Sequence, residues 1–461
     1  MKIGLINPNR NSKDAAIHLG LGYLASYARQ NHFDLEFKLL DTKVSKTKDF
    51  EEFFSQSYKL FAFTANSQSF EEAVEMAEKL KQSYPESLLC ISGSYASSVK
   101  DKCLSDHPFD FAIYGEAEET FSELIDYVKG EKILESIKGL IYRDKSGLIH
   151  INLPRPLLSN LNQIPFPAYD LFQMKRYSKY RLLSCRGCPE NYLYCSSALV
   201  WEKRLRMRSI ENILAEIKFL IKHYGKRMIC FEDECFNTET KRVIDFCHLL
   251  IDKKLGIKWS CAIQIESEKI EIAELMKQAG CQNVRLIIES ANEEVLKHLN
   301  KNTNEEMLQS DIKKFRALGI EVLGQFMIGN PGDTLDTVKE TIEFAKKTDL
   351  SSVEFYTPIP YPETELWEYI EENGNFLTET EPYTFHNISP IIIFETAEFN
   401  YKDRLEAIEL AAKNGFYHAL TQDERKFPIT KVVAPSLQKI IKNKSGNRLY
   451  LGLKKAYRKI K

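Results

Sequence analysis

Short apolar segments alternate with longer helical segments along most of the chain, and this alternation limits the possible folds more than any other feature. Residues 2–7, 60–64 and 228–231 are examples of apolar runs of strand length, and a segment with helical spacing follows each of them after a turn. Strands that alternate with helices form parallel sheets covered by helices on both faces. We therefore predict an α/β protein.

The first 150 residues contain five such strands and a small hairpin formed by residues 139–152. In parallel sheets of this kind, ligands bind beyond the carboxyl ends of the strands. We predict a doubly wound, Rossmann-like (flavodoxin-like) domain over residues 1–150 with a ligand at that edge. Polar and glycine residues that follow the strands are candidates for binding it: Asn66, Gly93, Ser94, Gly115 and Glu116.

Four prolines between residues 151 and 176 predict an extended linker, because proline cannot continue a helix. Six strand–helix units follow within residues 177–375, which fits a partial (β/α)6 barrel of TIM type better than a second doubly wound sheet. Polar residues at the strand ends of a barrel meet at one mouth. Those expected at the mouth are the segment from Cys185 to Cys195 and the side chains Asp233, Gln264, Glu289 and Gln325.

The composition is that of an ordinary globular protein. Its 461 residues are 43% hydrophobic and 28% charged, which allows two or three domains with separate cores. We expect neither a signal peptide nor a membrane span, and therefore a cytoplasmic location. Three of the ten cysteines, Cys185, Cys188 and Cys195, fall within eleven positions, a clustering that indicates a metal site or reactive thiols rather than disulfides.

The C-terminal region, residues 376–461, is predicted to be helical over residues 401–420, 432–444 and 447–460, and it is basic at its end. Residues 425–461 contain twelve Lys or Arg and no Asp or Glu, although the whole chain has a formal net charge of −2. Leucines and isoleucines recur beside these lysines, as in basic amphipathic helices that bind anionic membranes. We expect peripheral membrane contact or a lipid-linked substrate, and no nucleic acid because few aromatic residues are available for stacking.

Ten segments between residues 1 and 370 resemble, in their order, the cobalamin-binding radical S-adenosylmethionine (SAM) enzymes. That family joins a Rossmann-like cobalamin domain to a partial (β/α)6 barrel, so the resemblance implies the same architecture. The segments are Gly-Leu-Gly-Tyr-Leu-Ala at 20–25, Tyr-Gly-Glu-Ala-Glu-Glu-Thr at 114–120, Gly-Leu-Ile-Tyr-Arg at 139–143, Ile-Pro-Phe-Pro-Ala-Tyr-Asp at 164–170, Arg-Gly-Cys-Pro at 186–189, Arg-Met-Arg-Ser at 206–209, Phe-Glu-Asp-Glu-Cys-Phe at 231–236, Ile-Glu-Ser at 288–290, Gly-Gln-Phe-Met-Ile-Gly-Asn-Pro-Gly-Asp-Thr at 324–334 and Pro-Tyr-Pro-Glu-Thr at 360–364.

The resemblance implies three cofactors: a 4Fe-4S cluster, SAM bound to its fourth iron, and cobalamin. It implies transfer of a methyl group, or related carbon chemistry, on a small-molecule or lipid-linked biosynthetic intermediate. It also implies an electron donor such as flavodoxin or ferredoxin. A degenerate member without a normal cluster would instead be a corrinoid- or SAM-binding methyltransferase without radical chemistry, or a non-catalytic partner protein.

Site residues follow from the resemblance position by position. Cys188 and Cys195 occupy the first and third positions of the cluster motif C-x-x-x-C-x-x-C. The implied SAM contacts are Tyr194 for adenine and the run Glu232, Asp233 and Glu234 for the methionine amine. Those for ribose and adenine are Glu289, Ser290 and the segment from Gln325 to Pro331. The implied cobalamin contacts are Asn66, Gly93, Ser94, Gly115 and Glu116. There is no D-x-H-x-x-G sequence, so no histidine is expected below the cobalt.

The middle cysteine of the cluster motif is replaced by Tyr192, and three interpretations remain open. Cys185, three residues before Cys188, could supply the third thiolate. Alternatively, no ordinary cluster forms and the chain keeps cobalamin or SAM for another purpose. In the third interpretation Tyr192 binds iron through its phenolate, a hard ligand better suited to ferric iron than to a reducible cluster.

Overall fold

Two large β-sheets, a mainly parallel one in the first half of the chain and a parallel one in the second, organise the structure. The computed structural model describes residues 1–10, 16–190, 192–264, 272–377 and 392–417. Within these ranges, no helix is both long enough and apolar enough to cross a lipid bilayer.

The first sheet has the predicted doubly wound arrangement. Its strands are β1 (Lys2–Asn7), β2 (Glu36–Asp41), β3 (Leu60–Thr64), β4 (Leu88–Ser92), β5 (Phe111–Ile113), β6 (Leu140–Arg143) and β7 (Ile149–Ile151). They lie in the order β2-β1-β3-β4-β5-β6-β7. Strands β1 to β5 are parallel, and β6 and β7 form the predicted antiparallel hairpin at the edge. The central strands are apolar throughout because helices cover both faces.

Five helices cover this sheet: α1 (Leu19–Asn31), α2 (Thr47–Phe54), α3 (Phe70–Ser83), α4 (Ser94–Val99) and α5 (Glu118–Lys129). Helices α1 and α5 pack together on one face, where Leu21 and Leu124 belong to the core. Helices α2, α3 and α4 bury Phe53, Met76 and Tyr95 against the other face. Helices α2 and α4 were not predicted, because both are short and rich in polar residues.

The second sheet is the predicted partial barrel. The strands of this half are β8 (Lys179–Leu182), β9 (Cys185–Arg186), β10 (Arg206–Met207), β11 (Met228–Phe231), β12 (Trp259–Ile263), β13 (Cys281–Glu289), β14 (Glu321–Met327) and β15 (Ser352–Tyr356). Six of them are parallel in the order β8-β11-β12-β13-β14-β15, so β8 and β15 are the two edges of an open barrel. Strands β9 and β10 form a separate antiparallel ribbon.

Helices follow the barrel strands. They are α6 (Ser197–Trp201), α7 (Ile210–Tyr224), α8 (Thr240–Asp252), α9 (Ala273–Gln278), α10 (Glu293–His298), α11 (Glu305–Ala317), α12 (Leu335–Lys347), α13 (Glu365–Asn373) and α14 (Tyr401–Lys413). The spacing predicted all of those between residues 209 and 347, but not α6 or α13. Side-chain caps fix several of their first turns: Ser209 accepts the N–H of Asn212, and Asn304 accepts that of Met307.

The C-terminal region differs in part from the prediction. Helix α14 confirms the helix expected from residue 401 and packs against α12. Two short strands that were not predicted, β16 (Gly374–Phe376) and β17 (Phe394–Thr396), form an antiparallel pair. The predicted helices at 432–444 and 447–460, and with them the basic end of the chain, lie outside the described residues.

Candidate active site at the barrel mouth

The cysteine-containing loop is attached to the barrel by Asp233, two residues after the end of β11. The buried Asp233 carboxylate accepts the backbone N–H groups of Ser184 at 2.7 Å and Cys185 at 3.2 Å, together with the Ser184 hydroxyl. From α8, Arg242 donates to the Ser184 hydroxyl at 3.0 Å and to its carbonyl at 2.9 Å. Asp233 was predicted to contact a ligand amine, but the structure places its oxygens on the loop backbone.

A single glycine sets the path of the chain between the first two cysteines of the loop. Gly187 has φ +89°, and a β-carbon built on it would lie 2.1 Å from the carbonyl oxygen of Arg204. That oxygen belongs to the backbone just before β10 and cannot move far. The loop therefore requires glycine here for both conformation and space.

Alanine at an unobstructed position with positive φ costs roughly 1 kcal/mol of unfolding free energy. We expect Gly187→Ala to cost more than this, because the backbone around Arg204 must also shift. Gly130→Ala is the matched control, since Gly130 has φ +83° but open space around its Cα. Urea denaturation of both variants measures the difference. Equal losses of unfolding free energy would contradict a steric role for Gly187.

The loop thiols lie at the top of the barrel. Cys188 is 9% exposed and Cys195 is half-buried, with its sulfur 3.0 Å from the Ser197 hydroxyl. Burial raises the pKa of the Cys188 thiol to about 12, and the charges of Cys235, Glu190 and Cys195 act in the same direction. These thiols are therefore protonated at neutral pH unless a metal takes the proton's place.

Two tyrosines of the loop contact a charged pair formed by Glu289, at the end of β13, and Lys301, which follows α10. The rings of Tyr192 and Tyr194 are stacked with centroids 5.9 Å apart, and the Tyr194 hydroxyl donates to Glu289. Glu289 also binds Lys301, whose ammonium donates to the Ile287 carbonyl at 2.7 Å and lies 5.0 Å from the centre of the Tyr192 ring. Burial, followed by the Glu289 charge, raises the pKa of Tyr194.

Glu289 has φ +64°, an uncommon conformation for a residue with a side chain. Its strand pairing with β14 is irregular at the same point. Such strain, of about 1–3 kcal/mol, persists where the surroundings fix the residue, and it is concentrated at functional sites. The contacts of Glu289 with Tyr194 and Lys301 hold it in this conformation.

The inner face of the barrel carries further polar side chains. Val284 and Leu286 of β13 are buried under the helices, so the intervening Arg285 faces the interior. On the next strands Gln325 donates to the Tyr356 hydroxyl at 3.4 Å, and Tyr356 donates to Glu354. Tyr356 remains 46% exposed because it lines the open interior.

Lys301 was not predicted, whereas Glu234 belongs to the segment 232–234 that was expected to contact the methionine amine. Glu234 is exposed and receives a hydrogen bond from Trp201. Protein atoms packed around its carboxyl, followed by the Asp233 charge, raise its pKa against the opposing effects of Trp201 and Arg285. Glu232, in the same run, pairs with Arg181 at 3.0 Å. Lys301 follows a helix rather than a strand, so no strand-end pattern could have indicated it.

The predicted cobalamin residues lie together at the carboxyl edge of the first sheet. The Asn66 carboxamide oxygen accepts the N–H groups of Gln68 and Ser69 and so shapes the turn after β3. Gly93 approaches that turn closely, since a β-carbon there would lie 2.6 Å from the Ala65 carbonyl oxygen. The remaining members of the set are Ser94, exposed at the start of α4, and Gly115, which has φ +74° and open space at its Cα.

Glu116 connects this edge to the barrel. Its carboxylate is buried and pairs with Arg186 and Arg206, each at 2.7 Å, and accepts the N–H of Leu158. Arg186 also binds Glu118 at 2.5 Å. The residue expected to contact a cofactor is thus placed in an ion-pair network between the two halves, and this network brings the carboxyl edge of the first sheet to the barrel mouth.

Family models match both halves of the chain in the order that the fold shows. The B12 binding domain model matches residues 9–125, and the radical SAM superfamily model matches residues 182–345. An uncharacterised methyltransferase of Pyrococcus horikoshii is 32% identical over 377 residues, which cover 78% of this chain and 80% of that protein. The chain belongs to the cobalamin-binding radical SAM enzymes. The predicted family, fold and enzyme type, a methyltransferase of this class, are confirmed.

Other relatives of this radical SAM enzyme are more distant. Cytidylyl-2-hydroxyethylphosphonate methyltransferase of Streptomyces wedmorensis is 26% identical over 61% of this chain and 60% of its own length. The methyltransferase TsrM of Kitasatospora setae, solved with cobalamin and a [4Fe-4S] cluster, shares the fold with a TM-score of 0.72 at 15% identity over 92% of both chains. OxsB, solved with aqua-cobalamin and SAM, has a TM-score of 0.64 at 22% identity and covers 80% of this chain and 55% of its own.

The donor chemistry of the loop fits the iron–sulfur cluster of this family at two of the three motif positions. Soft thiol donors are present at Cys188 and Cys195, whereas the hydroxyl of Tyr192 is a hard donor. Within the described residues, no three histidine, cysteine or carboxylate side chains stand where they could hold a single metal ion. Ligands to the separate irons of a cluster stand farther apart than ligands to one ion, so a cluster remains compatible with these positions.

Proposed function

We propose that this enzyme transfers a methyl group, or performs related carbon chemistry, on a polar biosynthetic intermediate bound inside the barrel. Bound cofactors would supply the reactive methyl group and the radical chemistry. The residues of the chain bind and orient the reactants and exclude water.

The observation that carries this proposal is that the carboxyl edge of the first sheet and the barrel mouth are adjacent. The carboxyl edge of the first sheet, where the family binds cobalamin, lies against the barrel mouth that carries the cysteine loop. The buried pair of Arg186 with Glu116 and the surface pair of Lys100 with Glu363, at 2.6 Å, span this junction. A corrinoid held at one edge would therefore be next to a substrate in the barrel.

At the mouth, the described side chains suit SAM as the second ligand. Tyr194 offers an aromatic face beside Cys195, and Glu289, fixed by Lys301, is a candidate acceptor for ribose hydroxyls. Glu234 is exposed and bonded to the neutral indole of Trp201. It is the carboxylate best placed for an ammonium group, since Glu232 is paired with Arg181 and Asp233 with the loop backbone. Ser290 is also bonded within the protein, with its hydroxyl 3.1 Å from that of Thr341.

The barrel interior supports a polar substrate. Arg285, Gln325, Glu354 and Tyr356 offer a cation, an amide, a carboxylate and a hydroxyl on three adjacent strands. Small-molecule sites take their specificity from a few such converging groups. We also propose that a protein of the flavodoxin or ferredoxin class reduces the enzyme. Residues 425–461 are proposed to contact a membrane.

The replacement of the middle loop cysteine by Tyr192 favours a second candidate, a corrinoid- and SAM-dependent methyl transfer without a radical. The two candidates differ in their need for a reducible cluster. Both require cobalamin binding and reaction of SAM with it.

The test is to load the anaerobically purified full-length chain with cobalamin, reduce it, and add SAM labelled in its methyl group. We expect the label to appear on the bound corrinoid, with the matching change in the cobalamin spectrum, before any substrate is known. Failure to bind cobalamin would disprove both candidates. Methyl transfer to the corrinoid by a chain that forms no iron–sulfur cluster would leave the second candidate.

A further inference from the structure

We propose that Arg404, in helix α14, is a positioning residue for SAM. It supports two parts of the barrel mouth at once: the β14 loop, residues 328–333, and the side chains packed behind the Tyr194 ring. The inference rests on the proposed function, in which SAM binds at this mouth. It gives the C-terminal region a part in cofactor binding, although α14 lies outside residues 182–345, which the radical SAM superfamily model matches.

The Arg404 guanidinium lies directly against the β14 loop. A β-carbon built on Gly329 would lie 2.2 Å from Nη1 and 3.2 Å from Cζ of Arg404. Gly329 also has φ +107°, so this position requires glycine for both conformation and space. Phe326, three residues before Gly329, pairs with Glu289 of β13. The guanidinium therefore supports the β14 loop beside the strand end that carries Glu289.

A buried carboxylate shapes the same loop from within. Asp333 accepts the N–H groups of Gly329 at 2.9 Å and Asn330 at 2.8 Å, and the Thr337 hydroxyl at 3.1 Å. Burial raises the pKa of Asp333 to about 6, although these hydrogen bonds and the Arg404 charge oppose the rise. Arg404 thus favours the charged form of the carboxylate that holds the β14 loop.

Two aromatic rings hold Arg404 in place. Its guanidinium carbon lies 4.2 Å from the centre of the Phe394 ring and 4.8 Å from that of the Phe399 ring. Its Nε donates to the Phe399 carbonyl at 2.9 Å. Contacts between a cation and an aromatic face are strongest where water is excluded, and Arg404 is 4% exposed. The side chain is therefore fixed between these rings and the β14 loop.

Phe394 connects Arg404 to the cysteine loop. It belongs to a buried cluster with Leu366 of α13, and the Tyr194 ring packs against this cluster. The N–H of Leu366 also donates to the carbonyl of Leu193, the neighbour of Tyr194, at 2.9 Å. Because Tyr194 is the aromatic face proposed for SAM, Arg404 supports both this face and the β14 loop.

Packing alone does not account for a charged side chain at this position. Within the described residues, Nη2 of Arg404 is buried and makes no hydrogen bond. A buried donor without a partner is costly, and a neutral side chain of similar length would avoid that cost. Burial lowers the pKa of Arg404 to about 10, so the guanidinium is still charged at neutral pH. We infer that this charge acts on Asp333, and through it on the β14 loop.

Other titratable groups near this pair are Tyr369 of α13, Glu395 of β17 and His298 of α10, which lies against Gly332. On the surface, Lys339 of α12 pairs with Glu406 of α14 at 3.6 Å. The groups beside Asp333 and Arg404 are the same in wild type and in every Arg404 variant. A difference in pH dependence between these proteins therefore reports on Arg404.

The test measures SAM affinity between pH 5 and 7.5, by equilibrium dialysis of labelled SAM against the full-length chain purified anaerobically and loaded with cobalamin. Arg404→Gln is neutral but keeps a donor for the Phe399 carbonyl, and we expect it to weaken SAM binding about 3- to 30-fold at pH 7. Wild-type affinity should fall as the pH drops through about 6, where Asp333 takes up a proton. This midpoint should move to higher pH in Arg404→Gln, because the charge that opposes protonation is gone. Arg404→Lys should restore the midpoint and most of the affinity.

The matched control is Glu406→Gln, which breaks the surface pair of the same helix. The side chains of Glu406 and Lys339 are 55% and 42% exposed, so SAM affinity should stay at the wild-type value. Thermal melting of each sample shows whether the fold is intact.

Three results would overturn the inference and leave the proposed function in place. The first is wild-type affinity and midpoint in a folded Arg404→Gln variant. The second is an equal loss at every pH that Arg404→Lys does not restore, since lost packing would then be the cause. The third needs no variant: a wild-type affinity that is constant from pH 5 to 7.5. A wild type that binds cobalamin but no SAM would instead overturn the proposed function itself.

Discussion

Replacing Arg186 with methionine is expected to lower the free energy of unfolding by about 3–5 kcal/mol, because the buried Glu118 loses its ion-pair partner and the buried Glu116 loses one of its two arginines. The side chains of Arg186, Glu116 and Glu118 are 6%, 2% and 6% exposed. Arg206 continues to pair with Glu116, but Glu118 loses the ion pair that it makes with Arg186. Urea denaturation followed by circular dichroism measures the loss.

The matched control for Arg186→Met is Lys100→Met, which breaks a surface ion pair between the same two halves of the chain. The side chains of Lys100 and Glu363 are 32% and 59% exposed, so a loss below about 1 kcal/mol is expected. If both variants lost the same amount, burial of the Arg186 network would not be the source of its stability.

The effect of Arg186→Met should depend on pH. Burial opposes the charged form of Glu118, but the Arg186 charge and hydrogen bond outweigh it and hold the pKa of this carboxyl below its ordinary value. A lowered carboxyl pKa gives stability that is present above the unfolded pKa, about 4.3, and is lost as the pH falls through the folded pKa. The difference between wild type and variant should therefore be largest near pH 7 and shrink below about pH 4. A constant difference would point to lost packing of the Arg186 side chain.

The arrangement of the sheets was predictable because it depends on strand-length apolar runs alternating with helices. Strands β1, β3 and β11 begin and end where their apolar runs do. Helix α2 escaped prediction because its eight residues mix charges with phenylalanines that find partners only in the folded core. Tertiary contacts, rather than the local spacing of apolar residues, determine whether such a short helix forms.

The candidate site was predictable in its location but less so in the roles of its residues. Strand ends indicated Asp233 and Glu289, and both do lie at the barrel mouth. The sequence could not show that Asp233 is occupied by backbone N–H groups or that Glu116 is paired with two arginines. These roles depend on the direction of each side chain, which is set by contacts distant in sequence.

Lys301→Met is expected to weaken SAM binding by about 10- to 100-fold, if Glu289 contacts this ligand as proposed. The variant removes the ammonium group that binds Glu289 and leaves a buried carboxylate with Tyr194 as its remaining described partner. An unsatisfied buried polar group costs about 1–3 kcal/mol, and more when it is charged. The positive φ of Glu289 makes the loss larger, because Lys301 is one of the contacts that maintain this conformation. Equilibrium dialysis with labelled SAM measures the affinity.

Lys297→Met serves as the control for Lys301→Met. Lys297 also pairs with a glutamate, Glu294, at 2.6 Å, but the two side chains are 66% and 73% exposed, and the pair lies on the surface of α10. Its removal should leave SAM affinity unchanged. Lys301→Arg retains a positive charge near Glu289, so it should recover part of the affinity if charge is what matters. Wild-type affinity in Lys301→Met, with its fold intact by circular dichroism, would show that Glu289 does not contact SAM or does not need a counter-charge.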